Sequence, residues 1–538
     1  MPKVGARFRD PRAQGLLGLL VFGLSVPLAL HGIANDFLPG PEGEGAAAAL
    51  VAARNSLRFH VLGAAPAYSG LVPPPPTAFA TSAPLLTHLH VTLAVALFGE
   101  ASWVPRLVPL FYGLATQLLL FGLVRARRGA LAASATVLAY ALVPLAATGA
   151  TVVRPAAGGL FFALLFVAAS LRFDETRGRR AAVVALVALA LATHFDRACH
   201  LLALVVAAQG LVSARRSTSA DERRASGAFA VAILLASLAS ACVDAALVLV
   251  VRGSFGASAS RTGDGLAADL VRVASHAHEL VGNVFLFLLV AYLVVLLVKW
   301  RRGAIDALDR AALLFLALSL GASVLFHAES AIDASRVVYL LPTVALAASS
   351  LLPPAGVRAR ERALGGLALA VCLLVALPET VWKVRARFAS GFGSFAAAYD
   401  DRYVELEAWE HALAAIPPAR REVFVHASVP LDALMLARAD APVRSFTTLA
   451  DVVARPPATR GGHRLVLVDL MTAGVVPGLP EAAAAHRTTI HQGRFLVLDL
   501  DAPGRGVAGY RIRPLSMSRW RAFWGNPYRP AVVWDPIG

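Results

Sequence analysis

The sequence predicts a polytopic α-helical membrane protein of about eleven transmembrane helices, with a small soluble α/β domain at its C-terminus. Three observations carry this. Apolar residues gather into runs long enough to cross a bilayer, basic residues alternate between rich and poor loops, and the composition shifts near residue 380. Of 538 residues 57% are hydrophobic and 16% charged, with mean hydropathy +0.65. A soluble chain carries about 25% charged residues. A soluble enzyme, a secreted disulfide scaffold and a disordered tail are thereby excluded.

The apolar runs cover 15–34, 104–124, 129–149, 156–171, 181–194, 198–213, 228–251, 279–298, 310–327, 337–352 and 361–379. A bilayer core needs about 20 such residues per helix. Lys3, Arg7, Arg9 and Arg12 precede the first run, which predicts a cytoplasmic N-terminus and an uncleaved anchor. One further stretch, 84–99, is too short to span and carries Thr87, His88, His90 and Thr92. Left outside the count of spans, it puts the basic clusters at 125–128, 172–180, 215–224, 299–310 and 358–362 on the same side as the N-terminus. Lys and Arg on that side then outnumber those of the opposite loops by more than two to one. The net charge of +16 (50 Lys+Arg against 34 Asp+Glu) is thus a topology signal, and no nucleic-acid partner is assigned. Cys199, Cys242 and Cys372 are odd in number and widely spaced, which fits apolar packing rather than a metal box or a disulfide framework.

This topology divides the chain into a transmembrane domain, 1–380, and an extracytoplasmic α/β domain, 381–538. Two segments then face outward. The loop 35–103 contains a helical stretch at 46–54, the stiff run 73–76 and the non-spanning helix. In the C-terminal region, β-branched strands are predicted at 422–426, 464–469 and 489–500, alternating with helices such as 403–415. Trp520, Trp524 and Trp534 near the C-terminus read first as interfacial anchors or core residues.

Polar groups collect at the outward ends of the spans: Asp36, Glu42 and Glu44 after the first, then Arg154, then His194, Asp196 and Arg197, then Arg336 and Tyr339. Arginine matches phosphate through its planar fork, and a carboxylate can remove a proton from a hydroxyl. Bland readings stand beside these. The arginines can snorkel to headgroups, Glu42 and Glu44 can be solvated loop acids, and His194 with Asp196 can be a loop hydrogen-bonding pair. His88 and His90 are two residues apart and point to different helix faces, which argues against a metal pair.

The order of these features resembles the C-fold glycosyltransferases (GT-C), the polyprenyl-phosphate-sugar-dependent enzymes that include protein O-mannosyltransferases and the lipid A aminoarabinose transferase. The family's acidic pair, whose first acid is usually Asp, has its nearest counterpart in Glu44-Gly45, and its Ala-Arg-Asn-like helix in Leu50-Val51-Ala52-Ala53-Arg54-Asn55. Its His-Pro-Pro-Leu-like element is matched by Ser82-Ala83-Pro84-Leu85, and its Leu-Phe-Gly by Leu97-Phe98-Gly99. Next come Arg106-Leu107-Val108-Pro109, Arg154-Pro155-Ala156 for an Arg-Pro-Asp-like element, and Arg336-Val337-Val338-Tyr339-Leu340-Leu341-Pro342 for Arg-Tyr-Leu-Leu-Pro. The resemblance covers residues 1 to about 355.

It implies an inverting hexosyl or pentosyl transferase in a bacterial inner membrane, acting on its outer face. The donor would be a polyprenyl-phosphate-linked sugar held among membrane lipids, and the acceptor a glycan, lipid or protein. Glu44, with Glu42 as second choice, would be the catalytic base. Arg54, Arg154, Arg336, Tyr339 and His194 would bind substrate. Ala156 stands where some members carry an acid that helps hold a divalent metal (Mg or Mn), and the first Pro and the His of His-Pro-Pro-Leu are missing. These departures disfavour a metal and leave a non-catalytic glycan-assembly subunit as one alternative. A transporter or flippase is another, for which Asp244 inside the seventh run is the one clear candidate for a charge near mid-bilayer.

Overall fold

A computed structural model describes residues 11–30, 33–34, 41–66, 73–76, 79–80, 85–252, 280–326, 335–352, 359–389, 421–426, 443–446, 448–457, 462–469, 478–491, 495–504, 510–513 and 533–536, with a few isolated positions between. The helices are α1 Pro11–Leu30, α2 Pro41–Phe59, α3 Leu86–Phe98, α4 Leu107–Arg128, α5 Ala130–Leu142, α6 Pro144–Gly149, α7 Pro155–Thr176, α8 Arg179–Phe195 and α9 Cys199–Arg216. They continue as α10 Ala220–Arg252, α11 Asn283–Arg301, α12 Ala307–Leu325, a 3₁₀ turn Ser335–Leu340, α13 Leu341–Ser350 and α14 Ala359–Ala389. The chain forms two compact units: 1–34, 81–90 and 106–385, and 35–80, 91–105 and 386–538.

The first unit is a helical bundle of a polytopic membrane protein. Among the described residues, six helices are long and apolar enough to cross a membrane: 107–128, 155–176, 220–251, 283–301, 307–325 and 364–384. Helix occupies all or most of each of the eleven apolar runs, with two local departures. The run 129–149 is broken at Val143, which is extended (φ −69°, ψ 125°) ahead of Pro144. A proline has no N–H to donate and drives the residue before it out of the helical region. The run 337–352 opens as the 3₁₀ turn and becomes α-helical only from Leu341, with Pro342 in its first turn.

Local signals account for the other ends. Pro155 starts α7, where its fixed φ suits a helix and its missing N–H costs nothing. Arg125, Arg127 and Arg128 fill the last turn of α4, next to the negative end of the helix dipole, and Gly129 closes it at φ +87°. Asp306 and Asp309 form a reciprocal capping box on α12. Inside the bundle α7 packs on α8, α8 and α9 on α10, α5 on α1 and α13, and α12 on the 3₁₀ turn. The core holds Phe166, Phe285, Phe315 and Tyr339, all but inaccessible. Leu235, Leu238, Val250, Leu367 and Leu374 lie on the outside, as bilayer contact allows.

The second unit contains α2 and a five-stranded sheet of order β2-β1-β3-β5-β4. Its strands are β1 Arg421–His426, β2 Val443–Phe446, β3 His463–Asp469, β4 His486–His491 and β5 Phe495–Pro503. β1 runs parallel to both β2 and β3, with Phe424 opposite Val466, whereas β5 is antiparallel to β3 and β4. Phe424, Val466, Leu496 and Leu498 centre its core beside two short helices, α15 Leu449–Val453 and α16 Leu479–Ala485. Strands β6 Tyr510–Arg513 and β7 Val533–Pro536 form a separate antiparallel pair. The expected single strand 489–500 is two strands, with Thr489 opposite Val497; Gly493 stands between them in sequence as a turn signal. The expected helix 403–415, Asp36, Trp520 and Trp524 lie outside the described residues. So does the side chain of Trp534, whose backbone is in β7.

Candidate active site

The site is built where α8 gives way to α9. Helix α8 stops at Phe195 because Asp196 is extended (φ −148°, ψ 119°), and α9 starts three residues later at Cys199. In that short turn the Asp196 carboxylate collects three donors. The backbone N–H of Ala198 reaches Oδ1 at 3.0 Å, the Tyr339 hydroxyl donates to Oδ2 at 2.8 Å, and Arg336 Nη1 donates to the same Oδ2. Asp196 is 2% exposed and Tyr339 is fully buried. A buried carboxylate with an arginine and two further donors is a satisfied group. Arg336 also lies 5.0 Å from the Phe326 ring centroid, over its face. Its guanidinium has five N–H donors in a fixed fork, and the carboxylate on one edge sets where that fork points.

Helix α7 comes close enough to complete this arrangement because Gly158 and Gly159 lie side by side. A Cβ at Gly159 would fall 2.7 Å from the Tyr339 hydroxyl and 3.0 Å from Asp196 Cβ. One at Gly158 would run into the Phe195 ring. Two glycines early in a helix cost helix stability; the close approach they permit is the compensation. Phe195 stacks on Phe162 at 5.5 Å and on His90 at 5.3 Å, and meets Tyr112 edge-on at 5.1 Å. The Cys199 thiol sits 3.6 Å from the Tyr339 hydroxyl.

The structure thus joins Arg336 and Tyr339, two of the residues expected to bind substrate. Arg154 is the N-cap of α7, about 7.5 Å along the axis before Gly159. His194 does not pair with Asp196, the partner expected from the sequence. Its Nδ1–H donates to Asp244 Oδ1 at 2.8 Å, because the backbone at the end of α8 turns residues 194 and 196 to different neighbours. Arg54 belongs to the other unit, where its Nε pairs with Glu100 at 2.7 Å. Glu42 and Glu44 fall in the first turn of α2, which begins at Pro41 and so extends beyond the expected 46–54. Their side chains lie outside the described residues.

Asp196, at the centre of this cluster, is the residue whose partners the sequence does not reveal. Its partner Arg336 is 140 residues away, and no local pattern links the two. Ala156 is buried in the first turn of α7 and offers no donor atom. Among the described residues no three of His, Cys, Asp or Glu are placed to hold a metal ion.

No protein-family model and no curated protein matches the sequence. The fold is similar to that of ArnT from Cupriavidus metallidurans bound to undecaprenyl phosphate, with a TM-score of 0.58 at 15% identity, over 90% of this chain and 98% of that one. The apo state of the same protein gives 0.56 over the same shares. The chain has the GT-C fold. In a GT-C frame the order of elements read from the sequence has a spatial meaning: the Arg-Pro helix, the His194–Cys199 turn and the Arg336–Tyr339 turn meet at one end of the bundle.

Proposed function

We propose that the protein is a membrane glycosyltransferase that moves a sugar from a polyprenyl-phosphate donor to a hydroxyl of a glycan, lipid or protein. The observation that supports this best is Arg336, aimed by the buried Asp196 at one end of a GT-C bundle. Arg336, with Arg154 at the start of α7, would hold the donor phosphate. Tyr339 would act through Asp196, to which its hydroxyl donates. His194 and Arg54 remain substrate-binding candidates.

In the reaction the acceptor oxygen attacks the anomeric carbon as the bond from that carbon to the phosphate oxygen breaks. The electron pair leaves on the polyprenyl phosphate, and a preorganised arginine stabilises the growing charge. The acceptor proton passes to a carboxylate, Glu44 or else Glu42, as general base. We read the chain as eleven spans of a bacterial inner membrane with a cytoplasmic N-terminus. Residues 1–380 form the catalytic domain, and the extracytoplasmic domain 381–538 contributes to acceptor choice.

The test is polyprenyl phosphate binding to the full-length protein in nanodiscs, followed by thermal shift. Ligand at about 100 times its dissociation constant stabilises a fold by roughly 2.7 kcal/mol. We expect that shift in the wild type and its loss in Arg336→Ala. With a working donor and acceptor, Glu44→Gln should cost about 10²–10⁴-fold in rate. A well-folded wild type that shows no shift overturns the donor-phosphate reading and favours a transporter.

A further inference from the structure

The turn between α8 and α9 presents two faces. Asp196 and Cys199 face the Arg336–Tyr339 turn and α7. His194, Arg197 and His200 face α10 instead. There, His194 Nδ1–H donates to Asp244 at 2.8 Å, and Arg197 Nε lies 3.9 Å from Asp244 Oδ2. His194 Nε2 is 3.2 Å from Ser240 Oγ, which is 2.6 Å from Thr193 Oγ1, and His200 Nδ1 is 2.8 Å from Ser237 Oγ.

Asp244 is 8% exposed and is the one charged residue of the run 228–251. No hydrogen bond reaches its Oδ2 among the described residues. An ionisable group in such a span is costly and marks a function. The order Asp244–His194–Ser240 is that of a nucleophile triad, but Ser240 is 4% exposed and already engages Thr193. Ser240 therefore braces the histidine rather than attacking a substrate.

We propose that Asp244 is a positioning residue for the phosphate-binding arginine, an inference that rests on the donor-site reading of Arg336. Arg197 is the sequence neighbour of Asp196. By drawing Arg197 toward α10, Asp244 leaves Asp196 to Arg336. Without the Asp244 charge, Arg197 turns to the carboxylate beside it and competes with Arg336, so the guanidinium moves off the phosphate. A displacement of about 1 Å at such a site is enough to matter.

The experiment measures polyprenyl phosphate affinity of the full-length protein in nanodiscs, with the ligand-free melting temperature recorded for each variant. Asp244→Asn should bind roughly 3- to 30-fold more weakly. Adding Arg197→Gln should restore affinity by removing the competitor. In an Asp196→Asn background, Asp244→Asn should have no further effect. A merely structural role predicts no rescue and additive losses. Should Asp244→Asn fail to fold, Asp244→Ser, which also removes the charge, should show the same loss and the same rescue. Wild-type affinity in the Asp244 variant, or a defect that Arg197→Gln leaves unchanged, overturns the inference alone. A wild type that does not bind polyprenyl phosphate overturns the donor-site reading and this inference together.

Discussion

At the scale of single residues, the candidate site depends on closeness bought with two glycines. A methyl group at Gly159 would press on the Tyr339 hydroxyl and on Asp196. Overpacking of this kind costs about 1–3 kcal/mol, and here it would also tilt the carboxylate that aims Arg336. Gly159→Ala should therefore lower both the melting temperature and the affinity for polyprenyl phosphate. Gly122→Ala is the matched control: nothing lies within 4 Å of its added Cβ, and alanine is the better helix former by up to about 1 kcal/mol. Equal effects of the two substitutions would contradict the close-packing account. Arg336 and Tyr339 could be singled out in the sequence because they fall in one recognisable stretch. Asp196 was legible as a polar residue but not as their partner, since a pairing across 140 residues leaves no periodicity to read.

At the scale of elements, polar clusters fix how helices and strands join. Asp309 is 0% exposed. It accepts from the Tyr292 hydroxyl at 2.9 Å, from Lys299 at 2.7 Å and from the backbone of Asp306 at 3.1 Å. Arg128 of α4 joins the cluster through Asp306 at 2.8 Å and reaches Ser349 of α13 at 3.2 Å. Four helices thus converge on one carboxylate and its cap. Breaking a buried charged network costs about 3–5 kcal/mol, so Asp309→Ala should fall by that much in denaturant or thermal unfolding.

In the sheet, Arg464 grips Asp501 through Nε at 2.9 Å and Nη2 at 2.6 Å, and its Nη1 also reaches the Val453 carbonyl at 3.1 Å. Burial alone would raise the Asp501 carboxyl, but the hydrogen bonds and charge of Arg464 outweigh it and hold the group below its usual range. The pair's contribution is therefore fully present above the unfolded-state value of about 3.9 and is lost as the pH falls through the lower folded value. Unfolding of the wild type followed from pH 6 downward should show a loss of stability below about pH 4 that Asp501→Asn lacks.

At the scale of the whole molecule, the distribution of basic residues sets the expected topology. In a background lacking Cys242, a cysteine at Ser219 should resist an impermeant maleimide in intact cells. One at Asp451, exposed beside the sheet, should react. Reversed labelling would invert the orientation and put the site on the cytoplasmic side.

The sequence by itself determined that the chain is a polytopic helical membrane protein, where its helices run, and that acids and arginines collect between them. Those features are local or cumulative, since a 20-residue apolar run or a cluster of arginines carries its signal in consecutive positions. Even the break at Val143 has its cause next door, in Pro144. What only the tertiary structure decided is which polar residues share a site: Asp196 with Arg336 and Tyr339, and His194 with Asp244 instead of its near neighbour. Side chains two residues apart at the end of a helix point to different elements. Which neighbour each one meets depends on how the helices pack, and here that packing turns on two glycines that let α7 come close.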